Sequence, residues 1–368
     1  MKKLESIHPR LTEHLHDYII INCAVVNDET FIIVARYSPP GVESDHDAVM
    51  EKEPARVITV HLGSKTAKYI EYERLSRTIN AAGGVLNGHK QALIADHEGT
   101  ITYYGYGYGG ESGYEGEFTE LSGTRTNVKA ITTIGQHFYL VGLKGIFKRD
   151  RYGVYSHISE QVMDYYQRQG RIPQFVSVDG FSETDMYALE RSCVVWHYDG
   201  EDWELEDLPF NFKYCDTIIC APDGNVYILS SHGRAAVKIN GKWESVITES
   251  LFQSYGDHFC WFKGKLYLAN ESNPYYLDLD QKAWIQDNRL PFAKSISANE
   301  NVMILTDLWH AYIYDGETLT CIYRNADELN QRGVALASAQ IFHTLLENHP
   351  EIMELLEKAV ELKKGKGK

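Results

Sequence analysis

The sequence predicts an all-β fold, a seven-bladed β-propeller with a C-terminal helical extension, and three observations carry that prediction. A tyrosine recurs at Tyr139, Tyr187, Tyr227 and Tyr267, with Met303 in the same place, at intervals of 48, 40, 40 and 36 residues. A tryptophan recurs in phase at Trp203, Trp243 and Trp284, just after the turns Asp199-Gly200, Asn240-Gly241 and Asp280-Gln281. The stretch 216–247 shows the repeating unit most cleanly: four short apolar runs joined by Pro222-Asp223-Gly224-Asn225, Ser231-His232-Gly233 and Asn240-Gly241. Asp-Gly-Asn and Asn-Gly are strong hairpin signals. A lone four-stranded sheet leaves its faces unburied and needs copies beside it. Two landmarks advancing together at about forty residues are the signature of propeller blades. A large sandwich alternates as well, but need not repeat a turn and an aromatic in phase.

In chain order, residues 1–15 read as a polar lead-in with one helical turn. The blades are expected at 16–74, 78–122, 127–159, 174–207, 215–248, 257–287 and 294–324. Strands at 18–26, 30–37, 56–62 and 67–72 make the first, with a long acidic insertion at 39–54 between its second and third. Strands at 84–86, 91–95, 100–104 and 117–121 make the second, interrupted by a Tyr/Gly tract at 103–116. A helical excursion at 160–171 leads into the fourth. From 325 to 368 the period changes to three or four. Ile352, Leu355, Leu356, Ala359 and Leu362 form one stripe behind Pro350, which predicts a helical hairpin ending in a basic tail.

A formal net charge of −15 excludes unselective nucleic-acid binding, which rests on Lys and Arg meeting phosphates. Met1-Lys2-Lys3 begins like a signal peptide, but polar residues through Asp17 leave no apolar core for one. No apolar run is long enough to span a bilayer, so no membrane contact and a cytoplasmic location are expected. The six cysteines show no Cys-x-x-Cys spacing and mostly sit in apolar runs, which predicts buried free thiols.

In a propeller, the loop from second to third strand and the loop into the next blade open on one face. Reading those corners gives Asp96, His97 and Glu98, then Lys144, then Glu190 and Arg191. His232 and Arg234, Asn270 and Glu271, and Asp307, Trp309 and His310 follow; Asp45, His46, Asp47 and Glu51 of the insertion join the same face. These residues are the candidate binding face, although hairpin corners are also polar simply because they are wet. His97, His232 and His310 with Asp96 or Asp307 have the chemistry of metal ligands, but no spacing brings them together. Asp45-His46-Asp47 lacks the periodic ligands of a calcium loop. There is no Gly-x-Ser-x-Gly elbow or Cys/His motif, and no Lys-Ser or Lys-Thr follows the Tyr/Gly tract. No catalytic residue, metal or cofactor is therefore assigned.

Over residues 16–324 the repeat resembles the broad class of kelch-like and WD-repeat-like propellers. It lacks the kelch Gly-Gly doublet, a Trp-Asp dipeptide ending each blade and the sialidase Asp box, so the resemblance implies an architecture and transfers no residue. Acidic bacterial propellers of this kind also resemble immunity proteins that neutralise a cognate antibacterial toxin. That resemblance implies a non-catalytic repeat protein made for protein–protein interaction, with a basic partner. Two other readings stay open: an enzyme or small-ligand binder using the mouth of the central channel, and an assembly scaffold.

Overall fold

The computed structural model describes residues 1–38, 53–73, 75, 78–105, 119–120 (backbone), 128–142, 145–151, 153–230, 232–251, 258–269 and 272–325. Most of the acidic insertion, most of the Tyr/Gly tract and the expected helical extension lie outside these residues. The chain opens with β1 (Lys2–Glu5) and α1 (Pro9–His14). Blade one is β2 (Tyr18–Asn27), β3 (Thr30–Tyr37), β4 (Ala55–His61) and β5 (Thr66–Tyr72). Blade two is β6 (Ile79–Leu86), β7 (His89–Asp96), β8 (Thr100–Gly105) and β9 (Thr119–Glu120). Blade three is β10 (Val128–Ile134), β11 (His137–Gly142), β12 (Gly145–Arg151) and β13 (Val154–His157), followed by α2 (Glu160–Gln167). Blade four is β14 (Phe175–Ser182), β15 (Asp185–Glu190), β16 (Val195–Tyr198) and β17 (Trp203–Leu205). Blade five is β18 (Thr217–Cys220), β19 (Val226–Leu229), β20 (Ala235–Ile239) and β21 (Lys242–Ile247). Blade six is β22 (His258–Phe262), β23 (Lys265–Ala269), β24 (Tyr275–Asp278) and β25 (Ala283–Gln286). Blade seven is β26 (Ser295–Ala298), β27 (Met303–Thr306), β28 (His310–Tyr314) and β29 (Thr318–Arg324). The seven sheets, each with its strands paired in chain order, are the predicted propeller.

The two landmarks have separate physical causes. Tyr139, Tyr187, Tyr227 and Tyr267 are all buried on second strands. Each shares an apolar cluster with the blade that follows, as Tyr187 does with Ile218 and Val226. A large flat ring fills the wedge between two twisted sheets and carries a hydroxyl to the wet edge. The tryptophans work in the other direction, tying a fourth strand back to the preceding blade. Nε1 of Trp203 donates to the Ile158 carbonyl at 2.8 Å, that of Trp243 to Glu206 at 2.8 Å and that of Trp284 to the Gly233 carbonyl at 2.7 Å.

First strands of neighbouring blades approach one another around the centre, β2 meeting both β6 and β26. Their inner edges do not form ladders with each other, so their amides need other partners. Side chains from the adjacent first strand supply them. Ser297 Oγ accepts Val25 N–H at 3.1 Å, Ser177 Oγ accepts Ile218 N–H at 3.2 Å, and Asp179 accepts Cys220 N–H at 2.9 Å. Burial pushes the Asp179 carboxyl up to about 7, against those amide bonds. At Gly83 a Cβ would stand 2.5 Å from the Val25 carbonyl oxygen, so only glycine permits that approach.

The lead-in closes the ring. β1 adds a fifth strand to blade seven, parallel to β29, with Lys2 opposite Thr318 and Glu5 opposite Cys321. Its side chains are all exposed, so no apolar alternation announced it. The expected helical turn is α1, which sinks Leu11 into the core shared by blades one and seven, beside Leu15 just past the helix end.

The opposite face carries an ion cluster between blades three and four. Glu183 meets Lys148 Nζ at 2.6 Å, His137 Nδ1 at 2.7 Å and Gln136 N–H at 3.2 Å. Burial would raise this carboxyl, but Lys148 first and then His137 outweigh it, leaving the pKa lowered to about 2. A depressed carboxylate contributes stability above its unfolded pKa and loses it as pH falls toward the folded value. With the side chain 28% exposed the contribution is discounted to about 1–2 kcal/mol. Glu183→Gln is expected to lower the unfolding free energy measured in urea by that amount at pH 7, and the two chains should converge near pH 2. An equal gap at both pH values would contradict the assignment.

Candidate binding face

Second-to-third corners, loops between blades and both helices open on one face. Each corner needs an acceptor for the amides its turn leaves free, and buried carboxylates provide several. Asp96 Oδ1 takes the N–H groups of Glu98 at 3.0 Å and Thr100 at 2.8 Å. Asp307 Oδ1 takes those of Trp309 at 2.6 Å and His310 at 2.8 Å, and its carboxylate also receives His310 Nδ1 at 3.0 Å. In blade five Ser230 fills the same position, accepting Arg234 N–H at 3.1 Å.

Glu190 does more. It is 4% exposed, and its Oε1 accepts Tyr166 OH at 2.6 Å and Trp196 Nε1 at 2.9 Å. Its Oε2 accepts Gln174 N–H at 3.3 Å, so one carboxylate fixes α2, β16 and the chain entering β14. Burial, and then the bond to Glu190, hold the Tyr166 hydroxyl well above its usual pKa.

Around this anchor lies a cleft of about 280 Å³ lined by Tyr165, Tyr166, Arg171, Val194, Leu205 and Leu208 among others. Two of its residues are exposed, Tyr165 at 44% and Leu205 at 53%, and the loops of the same face expose Ile172 at 67% and Tyr214 at 61%. Arg171 stands over the Tyr166 ring at 5.4 Å and Arg191 over the Tyr214 ring at 5.9 Å. The expectation of free thiols is corrected here. Cys193 and Cys215 form a disulfide with their Cα atoms 5.1 Å apart, beside a backbone bond from Cys215 N–H to the Arg191 carbonyl at 3.1 Å. Nothing in a separation of 22 residues signals that pair. It forms because a corner and a connecting loop end on the same face. Cys23, Cys220, Cys260 and Cys321 are free.

The remaining candidates divide. Arg191 and Glu98 are exposed, His97, His232, Arg234, Trp309 and His310 are half-buried, and Arg234 donates to the Lys213 carbonyl at 3.0 Å. Lys129, which its place in a strand had hidden, joins His97 at 3.2 Å. Asp45, His46, Asp47, Glu51, Lys144, Asn270 and Glu271 lie outside the described residues. Among the described residues no three His, Cys, Asp or Glu side chains gather as metal ligands, and no helix is long and apolar enough to cross a membrane. His97, His232 and His310 stay in their separate blades.

No family model matches the chain. A stretch of 103 residues is 29% identical to the immune protein Tsi7 of Pseudomonas aeruginosa, covering 28% of this chain and 33% of that protein. The chain thus spans about a third of the length of the curated relative it matches. Among solved structures, virginiamycin B lyase from Staphylococcus aureus superposes with a TM-score of 0.53 at 10% identity, over 79% of this chain and 92% of that one. The extracellular domain of a hybrid two-component system from B. thetaiotaomicron superposes with a TM-score of 0.52 at 12% identity, over 86% of this chain and 40% of that one. At such identities the likeness speaks for the fold alone. On that ground and on its own sheets, the chain is a seven-bladed β-propeller.

Proposed function

We propose that the chain is a non-catalytic protein-binding propeller that neutralises a toxic effector protein by gripping it on the loop-rich face. One observation carries the reading. Exposed Tyr165 and Leu205, with Arg171, line a cleft that Glu190 and the Cys193–Cys215 bond hold rigid, and exposed Ile172, Tyr214 and Arg191 stand in loops and a corner of the same face. Tyrosine and arginine on a preorganised surface are the residues that dominate protein interfaces, because they bury large area at small entropic cost. The likeness to an immune protein over 103 residues supports the choice of partner class. A basic partner surface would meet the acidic 39–54 insertion. Thiols in the cytoplasm are kept reduced, so the cytoplasmic location expected from sequence and the Cys193–Cys215 bond pull in opposite directions. The proposal requires only that the chain meet its effector.

The test is co-production with a toxic effector encoded beside its gene. The chain should restore growth and co-purify with that effector. Tyr165→Ala with Tyr214→Ala should weaken the complex about 100-fold, close to 3 kcal/mol, without moving the melting temperature. Reversing charge at Asp45, Asp47 and Glu51 should weaken it and flatten its salt dependence. Protection that survives the double variant would remove the face, and failure to protect at all would remove the immunity reading.

A further inference from the structure

Two cations and a histidine from three consecutive blades stand at the inner rim of the loop face. Lys129 stands at the start of β10, the innermost strand of blade three; His97 follows β7 in blade two; Arg191 follows β15 in blade four. Lys129 Nζ lies 3.2 Å from His97 Nε2. An ammonium can only donate, so the ring offers Nε2 as an acceptor and is neutral in this arrangement. Arg191 N–H bonds the Gln174 carbonyl at 3.0 Å, at the entry to β14, the first strand packed against β10, and burial and then the Arg191 charge lower the Lys129 pKa. Among the described residues no carboxylate pairs with Lys129 or Arg191, and the Arg191 side chain is exposed beside the Tyr214 ring.

A half-buried ammonium leaning on a neutral imidazole lacks a counter-charge. An oxyanion seated between them would supply it. His97 could then take a proton and donate from Nε2, Lys129 would donate to the anion, and Arg191 would offer its planar fork. We propose that His97, Lys129 and Arg191 form an oxyanion-binding site at the mouth of the central channel, taking a carboxylate or phosphate group. Burial first and then Lys129 disfavour protonation of the His97 ring and hold its pKa below the usual value, while Asp96 and Glu98 favour protonation. Asp96 is engaged by the Glu98 and Thr100 amides, and Glu98 is exposed. Binding therefore strengthens as pH falls through the pKa of His97. This site does not depend on the immunity proposal.

The test follows the histidine rings of the full chain by NMR across pH, with inorganic phosphate and acetate as separate probes. Phosphate is expected to raise the His97 pKa by about one unit, a tenfold preference for the protonated ring. Exposed Arg191→Gln should weaken phosphate binding about tenfold with an unchanged melting temperature. Lys129→Met should raise the His97 pKa in the probe-free chain and remove the phosphate response. A response to phosphate alone assigns a phosphate-type ligand, and a response to both assigns a site that also accepts carboxylates. A His97 ring unmoved by either probe, or moved equally in both variants, overturns the proposal.

Discussion

Leu15→Ala is expected to cost the chain about 3 kcal/mol, read as a lower urea midpoint with an unchanged slope. Leu15 is fully buried, and its cluster contains Tyr18 and Ile33 of blade one with Ile313 and Ile322 of blade seven. Its carbonyl accepts Tyr18 N–H at 3.1 Å, so the backbone is pinned and cannot easily collapse into the space left by the lost methyls. That is the situation in which the cavity adds most to the transfer cost. Leu4→Ala on β1 is the control: Leu4 is 44% exposed, and its loss should change stability by less than about 0.5 kcal/mol. A Leu15→Ala chain with the midpoint of the parent would mean that the lead-in does not seal the ring.

Glu190→Ala should be comparably severe, about 3 kcal/mol, because it orphans the Tyr166 hydroxyl and the Trp196 indole N–H in a buried space. Glu190→Gln keeps an acceptor oxygen and should cost less, about 2 kcal/mol. Denaturant unfolding followed by tryptophan fluorescence checks both. The same change should also loosen α2, and with it Tyr165 and Arg171, so affinity for a partner on this face should fall along with stability. Equal stability of the parent and Glu190→Ala chains would show that the three bonds are not formed together.

What the sequence made legible follows from which residues repeat. Tyr187, Tyr227 and Trp243 repeat because every wedge between blades poses the same packing problem, so the count of blades and most strand limits could be read directly. Where blades solve a problem differently, the pattern fails. The first half of β6 was missed because Asn80 to Gly84 are small or polar and half-buried, with Gly83 set against the Val25 backbone, leaving no apolar alternation. β1 was missed because main-chain pairing and one exposed ion pair, Glu5 with Arg324 at 3.7 Å, hold it, with no buried side chain. In the candidate face, corner residues look alike on paper, yet Asp96, Glu190 and Asp307 turn inward to satisfy amides while Arg191 points outward. Side-chain type fixes neither choice; the direction of the preceding strand does. Lys129 escaped notice for the same reason, since nothing within β10 tells that its ammonium reaches a histidine of the preceding blade.

The parallel pairing of β1 with β29 also orders events during synthesis. Lys2 to Glu5 leave the ribosome before any blade, but their partner, Thr318 to Cys321, is made more than three hundred residues later. Until then the first sheet has an uncovered flank and the opening segment dangles, exposed to proteases and to pairing with other chains. A segment made before every blade is thus among the last to find its seat, and completion of the circle waits on the seventh sheet.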